Sequence, residues 1–350
     1  MSLTDVNLFR IDGNIGFTSN LQTSALNGGP LAGTRNRIIN GDMRIDQRNA
    51  GAAVTVNNSA AFYATDRWFG FGMTTAGVFT LNRSTTSPTG FTNSLAATCT
   101  TADASIAAGD RYFVNQAIEG FNAADLGFGA AGAQAVALSF WVQSSLTGTY
   151  CAALVNSAGN RSYVAEYSIA VANTWEYKTI YIPGDTAGTW LSDNGTGVSV
   201  RFALATGTTY QTTANAWAAG NFNATSNQVN WMSSSSSRTF RITGVQLEPG
   251  TVATPFERRS YGQELALCQR YYQVFGDLNL TISGRSTNAA TTVMPIVFRT
   301  TMRTAPTVAG TLTVGSGLSF SSTIDTMRVI GTADGNGTFV VSNSTASAEL

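Results

Sequence analysis

Histidine is absent from all 350 residues. That removes imidazole acid–base work, Ser-His-Asp and Cys-His nucleophiles and HExxH metal sites together. Carboxylates, tyrosines, the single lysine Lys178 and three cysteines are left to do chemistry. Cys99, Cys151 and Cys268 are far apart, odd in number and outside any CxxC pattern. They read as small buried apolar side chains; a Cys99–Cys151 bridge is the alternative that the sequence leaves open. Hydrolysis of a glycoside needs two carboxylates, about 5 Å or roughly 6.5–9.5 Å apart. Glu166 with Glu176 on neighbouring strands, and Asp110 with Glu119, are the pairs on offer. Isolated charges on strand faces are ordinary, so no catalytic residue is assigned and no enzyme is expected.

A second chemistry needs no titration. Sugar recognition sets an aromatic face against the ring and amide or charged groups on its hydroxyls. One long polar stretch offers both. Its candidate carbohydrate-binding residues are Tyr210, Gln211, Trp217, Asn221, Phe222, Asn230 and Trp231, with Asn223 and Asn227 between them and a serine run at 233–237 behind. A connection this long inside a compact domain is more often functional than accidental. The competing reading makes Trp217 a cap on the end of the fold and packs Trp231 against a neighbouring subunit. Trp68, Trp141 and Trp175 lie in or beside strand patterns and are expected to pack in the core or between sheets. Asp66 and Arg67 read as a buried or interfacial salt bridge.

The elements that position these residues are strands. Segments 78–83, 112–118, 135–143, 149–155, 162–170, 176–182, 198–205 and 239–248 carry strand patterns, with Asn, Gly, Ser and Thr between them. Val136, Leu138, Phe140 and Val142 share one parity, as do Val198, Val200, Phe202 and Leu204. In the last of these segments Phe240 and Ile242 share a parity that Val245 and Leu247 reverse. One extra residue near Gly244 would restore a single buried face, which predicts a β-bulge there. So many strands with no long helix between them give an all-β fold, an antiparallel jelly-roll sandwich over 38–258. Residues 1–37, with GGPLAGTR at 28–35, read as an N-terminal attachment arm. Residues 259–350 read as a short helix plus a second, smaller β domain with strands near 278–284, 292–298, 307–314, 327–333 and 338–343. Ser260 and Gln263 form the capping box of the helix. Its stripe of Tyr261, Leu265, Cys268 and Tyr272 needs a partner and is the candidate oligomer interface.

Composition narrows the setting. Charged residues are 11% of the chain, against a usual share of about 25%. The formal net charge is zero and no basic run exists, so no nucleic-acid partner is expected. No stretch approaches the roughly 18 apolar residues of a membrane span, so no membrane insertion is expected. The N-terminal sequence MSLTDVNLFRIDGN lacks the basic and apolar regions of a secretion signal. The rest looks extracellular. A virion protein made in the host cytoplasm and released by lysis reconciles the two.

Several blocks carry a family resemblance. They are RIINGDMRIDQRN (37–49), YATDRWF (63–69), LSFWVQSSLTGTY (138–150), TWEYKTIYIPGDTAGTW (174–190), NAWAAGN (215–221) and ITGVQLEPGTVATPFERRSYGQELALCQRYYQ (242–273). In this order they resemble bacteriophage and prophage tail-fibre proteins with a carbohydrate-binding-like jelly roll. The resemblance implies a virion location in the tail fibre, a homotrimer and a receptor-binding role on bacterial surface polysaccharide. The N-terminal arm is expected to join other tail or baseplate proteins. A structural head-fibre or decoration protein is the alternative, and a polysaccharide depolymerase a third reading. Related sandwiches often hold calcium at an N-G-D-F-E type start. Here Asn40-Gly41-Asp42-Met43-Arg44 puts a cation where an acidic ligand would stand, so neither a metal nor a cofactor is expected. Arg44 is instead expected to pair with Asp42, Asp46 or Glu248. Phe256 reads as a core plug.

Overall fold

The computed structural model describes residues 34–57, 59–73, 76–234, 238–281, 291–334 and 338–350. The expected arm lies outside the described residues apart from 34–37. Thirteen strands build the sandwich: β1 (Val54–Val56), β2 (Phe62–Thr65), β3 (Trp68–Gly72), β4 (Val78–Ser84), β5 (Ser94–Thr101), β6 (Arg111–Glu119), β7 (Val136–Ser144), β8 (Gly148–Asn156), β9 (Ser162–Ile169), β10 (Glu176–Ile182), β11 (Thr196–Thr206), β12 (Trp217–Ala218) and β13 (Thr239–Pro249). They form a six-stranded sheet, β1-β4-β5-β13-β7-β10, and a seven-stranded sheet, β12-β9-β8-β11-β6-β3-β2. The chain passes repeatedly from one sheet to the other, and the paired strands are antiparallel.

Alternation explains the core. Val136, Leu138, Phe140 and Val142 of β7 face Val198, Val200, Phe202 and Leu204 of β11 inside one continuous apolar cluster. Trp68 is fully buried in it, as expected. Phe240, Ile242, Val245 and Leu247 all reach that cluster too. The β13–β7 register shifts between Thr243 and Gln246, and Gly244 has φ +61°. This is the expected bulge, and its left-handed residue is a glycine because a Cβ is disfavoured there.

The helix α1 (Tyr261–Gln269) starts on the Ser260–Gln263 capping box. It docks on the sandwich of its own chain through Leu265, Leu267 and Cys268, which meet Ile39, Ile45, Tyr271 and Leu350. Cys268 is fully buried and Tyr261 is exposed. Tyr272 lies past the end of the helix, at the start of a strand, under the Arg48 guanidinium 3.6 Å from its ring centre.

Six strands follow: β14 (Tyr272–Thr281), β15 (Thr291–Val297), β16 (Thr307–Val314), β17 (Ser316–Ser322), β18 (Thr326–Thr332) and β19 (Thr338–Ser347). They make two three-stranded sheets, β14-β19-β16 and β15-β18-β17. Met327, Val329, Phe339 and Val341 centre a second, smaller core.

Buried ions join this module to the sandwich. Glu119 takes two hydrogen bonds from Arg270, at 2.8 and 2.6 Å, and one from the Tyr271 hydroxyl at 2.6 Å. Glu349 takes the guanidinium of Arg48 at 2.5 Å and that of Arg67. Asp66 and Arg67 are therefore both buried but do not pair with each other. Asp66 instead accepts the Gln47 amide N–H at 2.6 Å and its side-chain NH2 at 3.0 Å.

Burial pushes the Asp66 carboxyl from its ordinary 3.8 up to about 6, against the lowering effect of the Gln47 hydrogen bonds. The folded protein then takes up this proton before the unfolded chain does. The destabilisation is full above pH 6 and vanishes as the pH falls below 3.8. Between pH 7 and pH 4, Asp66 is expected to add roughly 2 kcal/mol of stability, which an Asp66→Asn variant lacks. Urea unfolding of both proteins at the two pH values checks this; a constant difference between them contradicts it.

Candidate functional site

Strand β8 is apolar on both faces, and β9 adds one apolar outward residue, Val164, to the patch beside it. Tyr150, Ala152, Leu154, Tyr163, Ala165 and Tyr167 point into the sandwich. Cys151, Ala153, Val155 and Val164 point the other way, and yet they are buried. What covers them is the long polar segment after β11. It turns at Tyr210, whose N–H donates to Gly207 O at 3.0 Å, and runs back across the sheet. Trp217 pairs with Tyr163 of β9. Asn223 N and Thr212 N then tie the two halves of the segment together through Tyr210 O and Ala224 O, both at 2.9 Å. Phe222 and Ala224 lie on the outward apolar patch.

Beside this cover an open cleft of about 650 Å³ remains. Glu166, Thr208, Gln211, Thr212, Thr213, Ala214, Thr225, Ser226 and Asn227 line it. Glu166 stands on the outward parity of β9, between Val164 and Ser168. Its Oε1 accepts from the Thr225 hydroxyl at 2.5 Å and the Asn227 side-chain NH2 at 3.0 Å. Among the described residues its Oε2 has no protein donor. The Gln211 NH2 donates to Thr206 O at 2.7 Å, which fixes the amide and leaves its oxygen to accept. A rigid carboxylate can accept hydrogen bonds from vicinal sugar hydroxyls, while the hydroxyls and amides around it can donate as well as accept.

The structure separates the seven residues singled out from the sequence. Gln211 alone of them lines the cleft. Tyr210 is half-buried beneath Arg111, whose guanidinium lies 4.1 Å from its ring centre, and its hydroxyl donates to Met73 Sδ at 3.5 Å. Trp217 packs in an aromatic group with Tyr163, Trp190 and Phe128, centroids 5.2–5.7 Å away, and donates to Pro183 O at 2.7 Å. Asn221 accepts from Arg201 at 2.6 Å. Phe222 covers the sheet, and Asn230 donates to Asp103 O at 3.0 Å. Trp231 is fully buried inside the sandwich, edge-on to Phe79 at 6.4 Å.

Other residues move as well. Glu166 and Glu176 are not on neighbouring strands: β9 and β10 belong to different sheets. Glu119 is buried under Arg270, and Asp110 caps the Ala107 N–H at 3.1 Å. The three cysteines are buried and free. Arg44 Nε meets Asp42 Oδ2 at 2.5 Å, the first of its three expected partners. Trp141 and Trp175 are half-buried rather than core. Phe256 is also half-buried and stacks edge-on to Phe91 at 5.3 Å instead of plugging the core.

Fold and cleft together define a two-sheet antiparallel jelly roll with a polar surface groove. No family model matches the chain, and no curated protein matches it in sequence. Among solved structures it is similar to the enzymatically active domain of bacteriophage CBA120 tailspike protein 4, at 13% identity and a TM-score of 0.30. That match covers 61% of this chain and 21% of the tailspike chain, so this protein spans about a fifth of it. The CBM22-1 xylan-binding domain of Paenibacillus barcinonensis Xyn10C matches at 9% identity and a TM-score of 0.29, over 59% of this chain and 99% of that one. The family 11 carbohydrate-binding module of Clostridium thermocellum matches at 13% identity and 0.28, over 59% and 100%.

Proposed function

We propose that the protein is a receptor-binding protein of a bacteriophage tail fibre, a non-enzymatic adhesin for bacterial surface polysaccharide. The observation that carries the reading is the cleft beside Glu166. It is open to solvent, and its walls are hydroxyls, amides and one carboxylate held by Thr225 and Asn227, the groups that hydrogen-bond sugar hydroxyls. The tail-fibre blocks at 37–49 and 242–273 support the virion role. Weak single sites suit an adhesin, because three chains per fibre and several fibres per virion multiply them. A homotrimer is part of the proposal. Light scattering is expected to give three times the 36.8 kDa of the chain; a monomer at working concentration removes that part.

Purified protein is expected to bind host surface polysaccharide on a glycan array and to compete with virion adsorption. The Glu166→Ala variant, folded by circular dichroism, is expected to bind about 10- to 100-fold more weakly, the usual loss for hydrogen bonds to a charged acceptor. Binding to no glycan together with no competition for adsorption overturns the reading.

A further inference from the structure

The opposite face of the sandwich carries a groove of different chemistry. It lies where β7, β10 and β13 run side by side, between the connections near 89–91 and 253–258, and encloses about 560 Å³. Trp141 and Tyr177 rise from paired positions on β7 and β10, with ring centres 5.4 Å apart and planes at 48°. Phe91 and Phe256 form the facing wall. Arg258 lies over both phenyl rings, its guanidinium carbon 4.7 Å from the centre of Phe91 and 5.7 Å from that of Phe256.

The floor is the bulge. A Cβ on Gly244 would stand 2.6 Å from Phe91 Cζ and 3.2 Å from Trp141 Cδ1. The glycine that restores the core parity of β13 thus also lets the two rings close on either side of it. The charge in the groove is one-sided. Among the described residues, Arg258 is the only ionic one in the lining. One of its nitrogens donates to Gly90 O at 2.6 Å, and among the described residues its contacts are that carbonyl and the two rings, with no carboxylate within ion-pair distance. The adjacent Glu257 faces away, accepting the Arg35 and Asn36 amides at 2.8 and 2.7 Å.

We infer that this groove is a second saccharide site, specific for an acidic sugar residue. The inference rests on the saccharide-binding reading above but on a different face of the molecule. The C–H face of a pyranose ring lies on Trp141 and Tyr177, as aromatic surfaces favour. A ring carboxylate reaches the uncompensated guanidinium of Arg258, a charge-assisted and directional contact. A neutral sugar gains the stacking but leaves Arg258 without an anion. The polar cleft near Glu166 is built the other way, with a fixed negative charge that repels a carboxylate. The two faces therefore sort acidic from neutral residues of a surface polysaccharide.

The test is calorimetric titration of the whole chain with hexuronate oligosaccharides (galacturonate, mannuronate and glucuronate series), each beside its carboxyl-reduced counterpart. At least one hexuronate series is expected to bind, and its reduced counterpart about tenfold or more weakly. Arg258→Gln and Trp141→Ala are each expected to weaken hexuronate binding about tenfold or more. Trp141→Phe, which keeps a ring, is expected to retain most of it, which separates stacking from a fold defect. Glu166→Ala is expected to leave hexuronate binding unchanged. Failure of all three hexuronates to bind overturns the second site, as does hexuronate binding that is indifferent to Arg258 and Trp141. Self-association that disappears in Trp141→Ala also overturns it, because a second copy of the chain is then the occupant. Loss of neutral-glycan binding in no cleft variant counts against the Glu166 reading alone.

Discussion

The Glu349→Ala variant is expected to lose about 3–5 kcal/mol of stability, the usual cost of breaking one side of a buried ion pair. Arg67 is only 1% exposed, and its guanidinium lies between the Glu349 carboxylate and the face of Tyr271, 3.6 Å from the ring centre. Its other nitrogen donates to Ala117 O at 2.5 Å. Burial alone, the largest single influence, would make Arg67 easier to deprotonate; Glu349 foremost, together with Tyr271, Tyr63 and Cys268, outweighs it and raises the guanidinium pKa. Removing Glu349 leaves that cation in the interior without a counter-charge and also frees Arg48. Urea unfolding measures the loss, and a double-mutant cycle with Arg67→Met isolates the pair. The doubly substituted chain is expected to recover part of the loss, because the stranded cation is gone. A single-variant loss under about 1 kcal/mol would mean that water reaches the junction and screens the charge.

Trp231→Ala is the second variant with a large expected effect, and it falls on stability rather than on binding. The ring is fully buried and meets Phe79 edge-on. Truncating a buried aromatic to alanine costs about 3–5 kcal/mol in transfer and cavity terms. Well below its lowered melting temperature, the variant is expected to bind saccharide as the parent does. Thermal denaturation and calorimetric titration of one sample check both halves. A variant of unchanged stability with lost binding would return Trp231 to the ligand and contradict its burial.

Those two residues also mark where the sequence could be read and where it could not. The alternation in β7 and β11, the bulge at Gly244 and the capping box of α1 all depend on neighbours in the chain, and each was legible. β5 was not: its core-facing parity, Leu95, Ala97 and Cys99, carries only one large apolar residue, too weak a signal beside its Ala and Thr neighbours, and its pairing with β4 and β13 makes it a strand. The helix ends about a turn before the stripe does, because Tyr272 keeps a helical spacing while its backbone has already joined β19. The site was the harder case. A Trp in a polar connection looks the same whether it points out, as a ligand platform, or in, as Trp231 does. The connection's own covering role was visible only indirectly, in strands such as β8 whose outward residues Cys151, Ala153 and Val155 are as apolar as the inward ones. Glu166 could have been placed: it holds the outward parity of β9. The Thr225 and Asn227 that fix it come from 59 and 61 residues further along, a distance no local pattern spans.

A crystal structure of the protein with an oligosaccharide from the bound host polysaccharide reaches the central claim most directly. Sugar hydroxyls are expected within about 3.2 Å of the Glu166 carboxylate, under the threonines and amides that line the cleft. Sugar density confined to surfaces away from both that cleft and the Trp141 groove would contradict the account.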